Sequence, residues 1–158
     1  MSLRMAHGAI GPFDLIVDPV AQQFEEEGDT FETPVALSLF TDRRASAAEL
    51  ALFGLPPSAN RGWPGDSFPE TAGDAWGSLL WLLDRALRND ETLAYGKQFA
   101  EQALAWMVAD GAAQRVTATA TWIGSSSYMQ LAIEIVKADS TRWNSYWNAT
   151  TAKLLRTA

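Results

Sequence analysis

The period of the hydrophobic positions changes several times along this chain. Val35, Leu37 and Leu39 alternate with Ala36, Ser38 and Phe40, which predicts a strand over VALSLF with one strongly apolar face. Asp14 to Asp18, a shorter apolar run between Pro12 and Pro19, predicts a brief edge strand. Ser46 and Glu49 stand at capping-box spacing in RRASAAELALFG, so a short helix is expected up to Gly54, with Pro56 and Pro57 barring its continuation. From Arg61 a Gly/Pro-rich loop carrying Trp63 and Phe68 runs into Leu79-Leu80-Trp81-Leu82-Leu83. A helix of such residues has no fully solvated face, so a buried central helix is expected from an N-cap at Asp74. Gly77 in its first turn costs about 1 kcal/mol relative to Ala, and a close pass of another backbone would explain its presence.

Asn89-Asp90 should end that helix and cap the next. In the second helix Leu93, Phe99, Ala100, Ala103, Leu104, Trp106 and Met107 form the apolar face, Lys97, Gln98, Glu101 and Gln102 the polar one, and Gly111 the C′ residue. Beyond it the period becomes two. Val116 to Trp122 alternates strictly, Gly124 to Ser127 turns, and Met129, Leu131, Ile133 and Ile135 share one face, which predicts a β-hairpin. That face should cover the helices, with the Thr residues towards solvent or another chain. The tail STRWNSYWNATTAKLLRTA fits either period, and helix is the reading adopted. The expected fold is therefore α+β, with two central helices packed against a small antiparallel sheet formed by N-terminal strands and the C-terminal hairpin. Residues 1–13 are expected to be a flexible N-terminus, 14–140 a single α+β domain, and 141–158 an aromatic tail packed on the domain or on a partner.

Composition narrows the function. The 158 residues are 47% hydrophobic and 20% charged, as in an ordinary globular domain. Twelve Lys and Arg against nineteen Asp and Glu give a net charge of −7, which argues against a nucleic-acid partner. Without cysteine there is no disulfide framework, thiolate metal site or thiol nucleophile. MSLR reads as a vector-derived start. The N-terminal region lacks an apolar stretch long enough for a signal peptide or a membrane span, so neither export by that route nor a membrane is expected. Seven Trp suit cores and interfaces alike.

Candidate chemistry is sparse. His7 is the single histidine, which removes Ser-His triads and His-based metal sites, and no cofactor or metal is expected. Glu25, Glu26 and Glu27 lack the spacing of a hard-cation loop and read as a solvated charge run. Asp66, Glu70 and Asp74 beside Trp63 admit a glycan-acting alternative, since glycosidases pair carboxylates near an aromatic platform, but each also has a turn or capping role. The glycines of RGWPGD lack phosphate-loop spacing. Arg43, Arg44 and Arg61 flank the Trp63 loop, with Asp42 and Asp66 as candidate partners, and a guanidinium buried against a carboxylate would pin that loop to the first helix.

Four blocks in order, LSLFTDRRA (Leu37–Ala45), RGWPGD (Arg61–Asp66), GSLLWLL (Gly77–Leu83) and ALAWMVADG (Ala103–Gly111), resemble the tail protein family of Mu-like contractile phages. The likeness covers most of the chain, from about Asp14 to the end of the hairpin. It departs at Pro64, where the family usually has a second aromatic, and at Leu79, often basic. That family is similar to the baseplate wedge proteins that start sheath assembly, small α+β proteins once described as lysozyme-like. The resemblance implies a non-enzymatic structural component of a phage, prophage or tailocin baseplate, assembled in the bacterial host cytoplasm. It further implies contacts with wedge, tail and sheath proteins, and leaves room for a homo-oligomer. Arg43, Arg44, Arg61, Trp63 and Asp66 are the residues expected to bind a partner or anchor the loop.

Overall fold

The computed structural model describes residues 31–62, 76–125 and 128–157 with their surroundings, and residues 4–8, 11–18 and 23–24 as strands of backbone. The chain divides into two units, Met1–Ala36 and Leu37–Ala158. In the first, β1 (Arg4–Gly8), β2 (Gly11–Asp18) and β3 (Gln23–Phe24) form an antiparallel sheet of order β1-β2-β3. The run Asp14–Asp18 lies within β2, where Ile16 opposes Arg4 and Val17 opposes Phe24.

VALSLF is not a strand. It lies in helix α1 (Glu32–Phe40), with Pro34 in the first turn, where a missing N–H costs nothing. Val35, Ala36, Ser38 and Leu39 are buried and Leu37 is exposed, a helical spacing, whereas period two would have buried Leu37 and exposed Ala36 and Ser38. A six-residue apolar run fits both periods, and what separates them is the burial of Ser38, whose hydroxyl accepts the Trp106 indole N–H at 3.0 Å.

Helix α2 (Ala47–Leu52) begins with the full capping box: the Glu49 N–H donates to Ser46 Oγ at 3.2 Å, and the Ser46 N–H donates to the Glu49 carboxylate at 2.7 Å.

The expected central helix is reduced to a single 3-10 turn, Leu80–Leu83. Gly77, at φ +96°, lies against Thr41, and a Cβ there would sit 2.3 Å from the Thr41 carbonyl oxygen. The next residue is tied by backbone bonds to the segment after α1. The Ser78 N–H donates to Thr41 O at 2.8 Å, and the Arg43 N–H donates to Ser78 O at 2.9 Å. Those groups are spent on a parallel bridge between Asp42 and Ser78 and are not free for a helical ladder. Leu79, Leu80, Trp81 and Leu82 are buried all the same, which is how four successive apolar residues can be accommodated without a helix.

Helix α3 (Asp90–Ala109) is capped by Asn89, whose side-chain oxygen accepts the Thr92 N–H at 2.9 Å, and is followed by Gly111 at φ +77°. Its buried stripe, Thr92, Gly96, Phe99, Ala100, Ala103, Leu104 and Met107, lies on a four-stranded antiparallel sheet of order β4-β5-β6-β7: Ala113–Ile123, Tyr128–Lys137, Arg142–Asn148 and Lys153–Thr157. Met129, Leu131, Ile133 and Ile135 of β5 form its buried face.

This sheet takes its strands from the C-terminal half alone, and the N-terminal strands form their own sheet. The two extra C-terminal strands come from the tail, which is β6 and β7 rather than a helix. Trp143, Ser145 and Trp147 are buried in alternation. Short polar side chains close both turns: Asp139 accepts the Thr141 N–H at 2.9 Å, and Asn148 accepts the N–H groups of Thr150 and Thr151 at 3.0 Å each. Ser140 and Ala152 supply the positive φ values.

Candidate interaction site

Two features of the second unit stand out, a clamp around Arg61 and the contrast between the two edge strands, β4 and β7. The clamp is built on the segment 41–45 that leaves α1. Asn60 ties its end by a reciprocal pair, accepting the Ala45 N–H at 3.0 Å and donating to Ala45 O at 2.8 Å. Gly62, at φ +148°, passes so close that a Cβ would stand 2.8 Å from Arg44 Cβ. Arg61 Nη1 then lies 3.0 Å from an Asp84 carboxylate oxygen and 3.6 Å from Asp42, with its guanidinium 5.3 Å from the centre of the Trp81 ring. The Trp81 indole N–H donates to Arg43 O at 2.8 Å, and Arg43 itself lies 3.6 Å from Glu49.

This guanidinium is half exposed, not buried as the sequence led us to expect. Exposure makes each ion pair weak, so the clamp rests as much on the Trp81 ring and the backbone bonds as on charge. Burial pushes the Asp42 carboxyl above its ordinary range; Arg61 opposes this and Asp84 reinforces it. In Glu49 burial acts in the same sense, but the bonds from Ser46 together with Arg43 outweigh it and hold the carboxyl low. The structure thus brings Arg43 and Arg61 together and leaves Arg44 exposed beside Gly62. Trp63 and Asp66 lie outside the described residues, as do Glu70 and Asp74. Sequence reasoning missed Asp84, Asn60 and Trp81. Their partners lie 15 to 38 residues away, and no local pattern marks such a pair.

A cavity of about 360 Å³ lies between the 3-10 turn and the end of the hairpin, lined by Leu80, Leu83, Arg88, Trp122, Met129 and Asp84 among others. The carboxylate on its wall, Asp84, is engaged by Arg61. Among the described residues no group of three His, Cys, Asp or Glu could hold a metal ion, and no helix is long and apolar enough to cross a membrane.

The sheet's two edges differ. β7 is five residues long, carries Lys153 and Arg156, and shifts register against β6. Length, charge and bulge are the usual means of blunting an edge. β4 is eleven residues long and, among the described strands, pairs with β5 alone. Its outer side is covered at the centre, where Ala118 is fully buried and its N–H donates to Glu101 of α3 at 3.1 Å.

Fold and surface together define a small α+β protein with a long helix on an antiparallel sheet and an arginine clamp beside it. The family model described as phage protein GP46 matches residues 31–142, and the chain belongs to that family. Over 85 residues it is 40% identical to the baseplate protein gp46 of Escherichia phage Mu, a match covering 52% of this chain and 54% of that protein. Over 93 residues it is 37% identical to the Mu-like prophage FluMu protein gp46 of Haemophilus influenzae, covering 59% and 58% respectively. The chain spans little more than half the length of these relatives. The resemblance read from the four sequence blocks stands.

Proposed function

We propose that this protein is a structural, non-enzymatic component of a contractile phage tail baseplate, assembling with other baseplate proteins and starting the sheath. One observation carries the reading: membership in the phage GP46 family, together with 40% identity to a protein named for the Mu baseplate. The position of β4 at the end of its sheet supports it, since an edge strand can accept an extended strand from a wedge or sheath protein beyond the stretch that α3 covers at Ala118. The segment 41–45 with Arg43, Arg44 and Arg61, and the adjoining Trp63 and Asp66, form the second contact region in this proposal.

Co-expression with the neighbouring baseplate proteins tests the assembly role. A stable complex on size exclusion is expected, and failure of every pairing to co-elute would overturn it. Mass spectrometry of purified particles should place the chain in the tail. The absence of catalysis is checked by turbidity of cell-wall suspensions; clearing by wild type that is lost in Asp66→Asn would replace this reading with a glycan-acting one.

A further inference from the structure

Charge is divided unevenly along the chain. The first 112 residues carry seven Lys and Arg against seventeen Asp and Glu, whereas the sheet-forming residues from Ala113 onwards carry five against two. The register of the sheet decides where those cations go. Arg115 and Arg142 stand opposite Val136, Arg156 opposite Tyr146 and Lys153 opposite Asn148, while Met129, Leu131, Ile133 and Ile135 occupy the alternate, buried face. Helix α3 lies on that buried face, where a Cβ on Gly96 would stand 2.6 Å from Met129 Sδ. Arg115, Arg142, Lys153 and Arg156 are therefore on the side away from the helix, and all four are exposed.

Among the described residues of the four strands this outer face holds one carboxylate, Glu134, and it is shared. Arg115 lies 3.8 Å from one of its oxygens and Arg142 3.6 Å from the other. The Arg156 guanidinium stands 4.2 Å from the centre of the Tyr146 ring, and neither it nor Lys153 has a carboxylate partner among the described residues. Between these charges Thr117, Thr119, Ala132, Asn144 and Tyr146 line a shallow cavity of about 200 Å³. Tyr and Arg are the residues on which binding energy concentrates in protein interfaces, and small neighbours leave the ring within reach.

The geometry points to this outer face as the docking surface for an extended, carboxylate-rich segment of a partner protein. Charge selects that occupant over two others. A second copy brought face to face would set these four cations against the same four, with only Glu134 on each side to offset them. A nucleic acid carries its charge continuously, so a stretch long enough for stable binding would also have to pass the acidic remainder of the chain. A short acidic segment can keep its carboxylates against Arg142 and Arg156, each guanidinium donating paired N–H bonds, and lay a side chain on Tyr146. That the partner is a baseplate protein rests on the assembly role proposed above; the preference of the face for carboxylates does not.

Titration of the full chain with a short peptide alternating Glu and Ser, followed by backbone amide shifts at low salt, tests this without any baseplate protein. Its outcome is therefore separate from that of co-elution. The amides of Thr119, Ala132 and Tyr146 are expected to shift, and binding should weaken as salt is raised. Arg142→Gln with Arg156→Gln should bind the peptide at least roughly tenfold more weakly than wild type, the scale of lost charge-assisted hydrogen bonds. Arg85→Gln with Arg88→Gln removes the same charge on the helix side, where Arg88 stands 6.0 Å from the Trp122 ring, and should bind as wild type does. Tyr146→Thr keeps every charge and should also bind more weakly. If the first pair of substitutions prevents folding, Arg115→Gln with Lys153→Gln decides. Equal weakening by the helix-side pair would overturn the proposal by reducing it to net charge. Shifts confined to other residues would overturn it too, as would a dT oligonucleotide of equal charge binding as tightly as the peptide.

Discussion

Replacing Gly77 by alanine should be among the most costly single-methyl changes in this protein. Two effects add. At φ +96° an L-residue pays backbone strain of about 1–2 kcal/mol. The new Cβ would also lie 2.3 Å from the Thr41 carbonyl oxygen, a backbone atom that cannot swing aside. Relieving the overlap means separating the segments joined by the Ser78-to-Thr41 and Arg43-to-Ser78 bonds, each contributing about 0.5–1.5 kcal/mol. The sum is about 2–5 kcal/mol, a large part of the roughly 5–15 kcal/mol that holds a domain of this size. Gly111 supplies the control. It has φ +77° and nothing within 4 Å of the place a methyl would take, so Gly111→Ala should show the strain alone. Urea unfolding of both variants, analysed with a common slope, measures the difference. A gap of about 1–3 kcal/mol is expected from the two bonds alone; equal costs would show that the close approach of residues 41 and 77 contributes nothing.

Other consequences are simpler to state. Ser46→Ala should lower stability by about 1 kcal/mol at neutral pH by breaking the capping box. Because Glu49 titrates below its ordinary 4.5, its contribution is complete above that pH and is lost as pH falls through the folded value, so the gap in thermal midpoint between variant and wild type should narrow in acid. Ser145→Ala leaves the fully buried Trp147 indole N–H without the acceptor it now has at 2.8 Å, and should cost about 1–3 kcal/mol in chemical denaturation. A wild-type denaturation midpoint in that variant would mean that the indole finds another partner. Arg61→Met, by contrast, should cost under about 1 kcal/mol, since its ion pairs are half exposed. Its effect should shrink further in high salt and as Asp42 protonates, and a larger, salt-independent loss would assign the clamp to packing on Trp81 instead.

Where partners lie close in sequence, the chain is legible. The Ser46–Glu49 box, the Asn89 cap, the stripe of α3 and the β4–β5 hairpin each follow from spacings within a few residues, because local backbone geometry alone puts those groups in reach. Even the close approach at Gly77 could be suspected from a glycine standing inside an apolar run. The four sequence blocks also sufficed to point to the phage family.

What the sequence could not decide is set by neighbours far along the chain. VALSLF reads equally well at either period until Trp106 claims Ser38, 68 residues away, and fixes which face is buried. The expected helix shrinks to the turn Leu80–Leu83, and just before it the backbone of Ser78 is bonded to Thr41 and Arg43. The tail becomes strands because β5 offers it an edge, Ile135 opposite Trp143 and Leu131 opposite Trp147, which buries both indoles. Propensity differences between helix and strand amount to tenths of a kcal/mol per residue, while burying one such side chain is worth a few kcal/mol. Where local preference was nearly balanced, long-range burial made the choice.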